Sequence, residues 1–248
     1  MIVLKTRSEL DLMRIAGRIS AQALEVGGEM VRPGVTTAQI NSAIHRFILS
    51  QDAIPSFLGY GGFPASACVS LNAEVIHGIP GSRVVQEGDI VSIDVGAVYK
   101  GFHGDNAATF PAGKISDEAR RLLDATRESL ERAVAAAVPG GRIGDVSFAV
   151  QSFVEPLGFG VVRKFVGHGI GREMHEAPEV PNYGTPGKGP RLAAGMTIAI
   201  EPMINAAGGD VKILPDGWTV LTVDGSLSAH FEHTVAVTEN GPVVLTKP

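Results

Sequence analysis

Five side chains that can hold a cation or move a proton stand in apolar surroundings where such groups are rare. Asp94 interrupts Ile90-Val-Ser-Ile-Asp94-Val-Gly-Ala-Val-Tyr99, and Asp105 closes Lys100-Gly-Phe-His-Gly-Asp105. His168 lies among small residues in Phe165-Val-Gly-His168-Gly-Ile-Gly171. Glu201 ends Thr197-Ile-Ala-Ile-Glu201, and Glu232 sits in His230-Phe-Glu232-His-Thr-Val-Ala-Val237. A carboxylate inside an apolar strand is costly to bury unless it is paired or bound to a metal. Two held side by side repel unless they share a proton or a cation. Each residue has a bland reading when taken singly: a solvated pair at a sheet end, a structural histidine in a glycine turn, a solvated glutamate on an edge strand. Together, four carboxylates and one imidazole make a hard, oxygen-rich set. Such a set suits two divalent ions such as Mn, Co, Fe or Zn, bridged by shared carboxylates.

The elements that must position these groups can be read locally. Val, Ile and Tyr dominate Ile90–Tyr99, and Lys100-Gly101 supplies a turn, so residues 90–105 predict a β-hairpin. Folding about Tyr99-Lys100 brings Asp105 beside Asp94, to within a residue or so of register. Ser8 predicts the cap of a helix from about Glu9 to Val26, with Asp11 completing the capping pair. Thr37 caps a second helix through Ile40, Ile44, Phe47 and Ile48, which recur at helical spacing. A glycine-rich loop, Phe57–Pro64, precedes short strands around Ala67–Leu71 and Val84–Val85. Ser116 opens a third helix to about Val138, and a fourth lies around Asp145–Pro156. From Val161 onward the pattern is mainly strand, with turns at Gly187-Lys188-Gly189 and Pro215-Asp216-Gly217.

This order repeats. The segment from Met30 through Pro33-Gly34 to Ile40 parallels that from Ala137 through Pro139-Gly140 to Val146, an offset of 106 from Pro33 to Pro139. Gly88–Asp94 parallels Gly195–Glu201, an offset of 107 from Gly88 to Gly195, which sets Asp94 on Glu201. The chain therefore predicts one catalytic domain over residues 1–248 with an internal duplication, about 8–115 and 116–240.

Composition narrows the class. The 248 residues are 44% hydrophobic and 19% charged, as in a globular domain. A net charge of −5 without a Lys/Arg cluster argues against direct nucleic-acid binding. No apolar run approaches transmembrane length, and the N-terminus lacks a signal core, so a cytoplasmic location is expected. One cysteine, Cys68, excludes an internal disulfide framework.

His77-Gly-Ile-Pro80, Asp94 with Gly101–Asp105, Gly167-His168-Gly-Ile-Gly171, Ile200-Glu201-Pro-Met203 and Glu232-His-Thr occur in an order and spacing that resemble the type I methionine aminopeptidases. The resemblance covers essentially the whole chain. It implies an α+β pita-bread fold: two pseudo-symmetric halves with a curved antiparallel sheet covered by helices. It also implies two divalent ions (Co, Mn, Fe, Zn or Ni) held by Asp94, Asp105, His168, Glu201 and Glu232, with Asp105 and Glu232 bridging. Glu201 would handle the proton of the attacking water. His77 would contact the substrate amide nitrogen, and His175 would stabilise the tetrahedral oxyanion. The methionine pocket would fall on Phe57, Tyr60, Phe63, Cys68, Met174 and Trp218, whose rings and sulfur suit a thioether. Phe57, Phe63 and Met174 depart from the commonest bacterial residues at those positions. His103, His230 and His233 neighbour the candidate ligands and are read as supporting or structural, and His45 as an ordinary helix residue.

The activity so implied is removal of the initiator methionine from nascent chains when the second residue is small. The expected protein is monomeric, with at most transient ribosome proximity. His168 and Glu201 are too close in sequence for the helical insertion of the type II enzymes. A proline-specific aminopeptidase of the same fold would carry a large extra N-terminal domain. A non-enzymatic binding protein on the same scaffold would have lost ligands.

Overall fold

The computed structural model describes residues 1–247. In chain order the elements are α1 (Arg7–Glu29), α2 (Thr37–Ser50), β1 (Ile54–Pro55), β2 (Ala67–Leu71), β3 (Glu74–Ile76), β4 (Ile90–Tyr99) and β5 (Phe102–Pro111). Then follow α3 (Asp117–Ala136), α4 (Ile143–Val154), β6 (Gly160–Val161), β7 (Gly167–Gly169), β8 (Glu176–Val180), β9 (Thr197–Ile200) and β10 (Met203–Asn205). The chain ends with β11 (Val211–Ile213), β12 (Val220–Thr222), β13 (Ser228–His230), β14 (His233–Thr238) and β15 (Gly241–Val244).

The α1 helix is capped two residues before the expected position, by Thr6 and not Ser8. Thr6 accepts from the Glu9 amide, and the Glu9 carboxylate reaches back to the Thr6 amide at 2.9 Å. Thr-x-x-Glu completes the reciprocal box with a longer acid than Ser8-x-x-Asp11 offers. The α2 helix is likewise capped by Thr36 with Gln39, not by Thr37. Thr37 is buried instead, donating to the Gly81 carbonyl at 3.1 Å. Ser116 caps α3 as expected. The α4 helix begins at Ile143 and gives way to a 3-10 turn at Glu155–Leu157. Val84–Val85 is not a strand: Val84 makes only an isolated bridge to Thr36, and the strand of that region is β3.

The hairpin forms about Lys100-Gly101, both at positive φ (48° and 80°), so Tyr99 pairs with Phe102. That two-residue loop fixes the register. Asp94 then faces Ala107, and Asp105 faces Gly96. The two acids share one face on a diagonal two residues apart, further than the turn position read from the sequence implied.

Helices of each half cover that half's own strands. One core joins α1, α2, β2 and β4 through Ala23, Ile40, Ile44, Val69 and Ile93. The other joins α3, α4, β9, β10 and β14 through Leu122, Val146, Ile198, Ile204 and Val235. Ala108 on β5 touches both. Every strand pairing described is antiparallel, as in the sheets β15-β14-β9-β7-β8 and β1-β4-β2 with β5 beside β4.

The loops that open α2 and α4 are bonded alike. Gly34 donates to Val85 at 2.9 Å and Thr37 to Arg83 at 3.0 Å. Gly140 donates to Leu192 at 2.8 Å and Ile143 to Pro190 at 3.0 Å. Thr36 N–H is capped by Gln39 as Arg142 N–H is by Asp145. No described helix is long and apolar enough to cross a membrane.

The α1 helix lies directly on β5 because β5 has no side chain at the crossing, where Gly104 meets the α1 backbone. A Cβ at Gly104 would stand 2.7 Å from the Ala16 carbonyl carbon and closer still to the Gly17 backbone. Gly104→Ala is therefore expected to lift α1 and cost about 1–3 kcal/mol or more, as overpacking does. Urea unfolding at constant metal loading measures this, and an unchanged midpoint would show that α1 yields freely.

Candidate active site

β4 and β5 carry Asp94 and Asp105 from the first half of the chain; β7, the end of β9 and the β13–β14 junction bring His168, Glu201 and Glu232 from the second. A short seam aligns the halves. Glu232 donates its N–H to the Ala107 carbonyl at 2.9 Å. The Thr234 hydroxyl accepts from the Asp105 amide at 3.0 Å and donates to the Asp105 carbonyl at 2.8 Å. Thr109 repeats the device on His230, at 2.9 and 3.0 Å. Both threonines tie the backbone beside a candidate ligand across the seam.

Donor atoms of Asp105, His168 and Glu232 lie within 4.8 Å of one another. His168 Nε2 is 3.5 Å from Glu201 Oε1 and 4.0 Å from Asp105 Oδ2. Asp94 lines the same cavity. Asp94 Oδ1, Asp105 Oδ1 and Glu232 Oε1 are buried and make no hydrogen bond among the described residues. Burial, and then the neighbouring carboxylates, push the carboxyls of Asp105 and Glu232 well above their ordinary range. Burial and Asp94 do the same to Glu201, and burial raises Asp94 to about 7. Orphaned carboxylate oxygens crowded this closely call for a cation. His168 has the form a ligand needs. Burial holds its pKa at about 3, so the ring is neutral. Its Nδ1–H donates to the Gly169 carbonyl at 2.9 Å, which turns the Nε2 lone pair toward the acids. The set fits divalent metal ions.

The expected residues line one cavity of about 470 Å³, counting its open mouth. Phe57, Phe63, Cys68 and Met174 are buried and pack as one apolar cluster with Trp218 against it. Phe63 meets Trp218 edge-on at 5.1 Å. His77 adopts φ 59°, which an L side chain rarely takes, and turns its ring edge-on to Phe165 and Trp218. Burial lowers its pKa to about 4, so it is a neutral ring at neutral pH. His175 stands at the mouth. Its ring lies 4.1 Å from that of His168, and its Nδ1 is 2.7 Å from the Tyr60 hydroxyl.

The other histidines divide. His45, His103 and His233 each bond a hydroxyl, on Ser66, Ser56 and Thr246 respectively. The His230 ring bonds no group among the described residues and lies with Nε2 3.7 Å from Glu201 Oε2. Glu201 is thus flanked by an imidazole on each oxygen. The sequence reading also missed Lys5, whose buried ammonium pairs with Glu176 directly after His175. A lysine ahead of a helix cap carries no local signal of that kind.

The comparisons agree with this geometry. Residues 11–239 match metallopeptidase family M24. The chain is 53% identical over 247 residues to methionine aminopeptidase 1 of Bacillus subtilis, covering 100% of both. The crystal structure of a methionine aminopeptidase from Thermotoga maritima superposes with a TM-score of 0.99 at 48% identity, with both chains fully covered. A prolidase from Pyrococcus furiosus, 23% identical, shares the pita-bread fold at a TM-score of 0.80, and this chain spans 66% of it. With its donor set, its fold and full-length relatives all in accord, the chain belongs to metallopeptidase family M24, in the methionine aminopeptidase branch.

Proposed function

We propose that the protein hydrolyses the initiator methionine from peptides and nascent proteins whose second residue is small. One observation carries the reading: a single cavity has acidic and imidazole donors at one end and buried Phe57, Phe63, Cys68 and Met174 at the other. A methionine side chain lying on the apolar end sets the first peptide bond beside the donors.

In this reading Asp94, Asp105, His168, Glu201 and Glu232 would hold two divalent ions. Ions held there would supply Lewis acidity toward the scissile carbonyl and a water of lowered pKa. Their identity follows availability, because oxygen-rich sites accept several metals. Glu201 takes the proton of the attacking water, a role its place among the donors, with an imidazole beside each oxygen, supports. His77 contacts the amide nitrogen of the scissile bond. His175, its ring steadied by Tyr60, donates to the oxyanion as charge develops. Tyr60, Phe63, Cys68, Met174 and Trp218, with Phe57 behind, wall the side chain. A bulky second residue would crowd the carbonyl away from the donors. We further read the protein as a cytoplasmic monomer that meets its substrates near the ribosome, and its two halves as a duplication of about 8–115 and 116–240. The matched bonds at the α2 and α4 loops support that last reading.

A tripeptide panel tests the assignment. Met-Ala-Ser is expected to be cut, while Lys-Ala-Ser and Met-Leu-Ser are not. Norleucine should replace methionine, because small apolar differences are worth only about 1–3 kcal/mol of discrimination. Comparable cleavage of Leu-, Lys- and Met-initiated peptides would instead mark a general aminopeptidase.

A further inference from the structure

The turn that presents Met174 and His175 to the cavity is held from the far end of the chain. Lys5 is buried, and its ammonium pairs with Glu176 Oε2. A second ammonium proton goes to the Val3 carbonyl at 3.2 Å. The other Glu176 oxygen accepts from the amides of Arg172 at 2.9 Å and Glu173 at 3.3 Å. Glu176 is therefore the hub of residues 171–176, and Lys5 is its counter-charge.

Three further contacts fix the same turn. The His103 amide donates to the Gly171 carbonyl at 2.8 Å. The Arg172 guanidinium pairs with Glu9 Oε1 at 3.2 Å and stacks on Phe102. A Cβ at Gly171 would stand 2.6 Å from Glu176 Oε1 and press on the Lys5 stem, so only glycine lets the two approach. Lys5 is anchored in turn: its amide donates to the Gly195 carbonyl at 2.7 Å, two residues before β9.

We propose that Lys5 is a positioning residue for His175, acting through Glu176. A buried ion pair is weak evidence for net stability, but removing one partner leaves the other charge uncompensated. Without the ammonium, Glu176 turns toward water, the amides of Arg172 and Glu173 lose their acceptor, and the His175 ring leaves its place. The proposal rests on the reading of His175 as the oxyanion donor. Displacing such a group by about 1 Å can cost on the order of 100-fold in rate.

The test uses the metal-loaded protein with Met-Ala-Ser as substrate. Lys5→Met keeps the apolar stem and removes the charge. It is expected to lower kcat roughly 10- to 100-fold, with little change in KM and none in metal stoichiometry. Amide exchange over residues 171–176 should rise at least about tenfold. In a His175→Ala background, Lys5→Met should have no further effect on kcat. The double variant Lys5→Met/Glu176→Gln, which removes both charges and keeps an acceptor oxygen, should regain most of the lost kcat and protection. Wild-type exchange and kcat in Lys5→Met would overturn the proposal. So would a loss of kcat just as large without His175, or a double variant no better than the single one. If His175→Ala alone kept the wild-type rate, the catalytic reading of His175 would fall, and amide exchange would still decide whether Lys5 holds the turn.

Discussion

Glu232→Gln is expected to abolish stoichiometric binding of both metal equivalents, whereas Asp94→Asn weakens only one. The motive is the proposed sharing of Glu232 between the ions; the side chain is buried with an unpartnered oxygen, and its donor lies within 4.8 Å of those of Asp105 and His168. Outer partners of metal ligands are themselves worth about 10–100-fold in affinity, so loss of a shared ligand should cost at least 100-fold. Calorimetric titration with Mn or Co reads this directly, and wild-type stoichiometry and affinity in both variants would sink the ligand assignment. Stability supplies a second readout, with a defined sign. Asp94 moves from 3.8 in the unfolded chain to about 7 in the folded protein, and Asp105, Glu201 and Glu232 move upward too. A raised carboxyl pKa means that the folded state binds more protons, so these groups favour folding below the unfolded value and lose that contribution as pH rises through the folded one. Protein stripped of metal should therefore lose stability from about pH 4 to pH 7, and Glu232→Gln should flatten the fall. Restoring the metal should remove it. A stripped protein whose stability rises across that range would show that the acids are compensated in some other way.

His175→Ala is expected to keep its metal and lose turnover. The side chain lines the mouth of the cavity, bonded to Tyr60, and lies outside the cluster of Asp105, His168 and Glu232. Donors aimed at a developing oxyanion are worth about 100- to 1,000-fold in kcat. A fall of one to three decades in kcat with unchanged metal content fits that role. Loss of metal in this variant would make His175 a ligand and undo the division of labour proposed above.

The parts of the fold set by short-range chemistry were legible in the sequence. The 90–105 hairpin followed from its β-rich arm and its turn, and the helices from apolar period. Where the reading slipped, two local signals competed. Ser8-x-x-Asp11 and Thr6-x-x-Glu9 both look like boxes, and the longer acid is the one that reaches. Val84–Val85 has strand-like residues but no partner strand, because its bonds go to the loop that opens α2. The cavity residues were legible only through the order of their motifs, since each acid alone has a bland reading. Lys5 was invisible because its partner lies 171 residues away. His230 was seen, but not its approach to Glu201, which depends on how β10 and β13 pair.

The threonine seam sets when the site can exist during synthesis. Asp105 and Thr234 are 129 residues apart, and Thr109 reaches 121 residues to His230. Contacts of such separation close late, after the entropy of a long loop has been overcome. A chain emerging from the ribosome therefore presents Asp94 and Asp105 on a finished hairpin well before Glu232 arrives to complete the cluster. Until then two acids without their partners are a poor cage for any ion, and the polypeptide passes through most of its own translation without a formed site. On the proposed ligand set, metal capture would be a final maturation step that ties the first-made half of the molecule to the last.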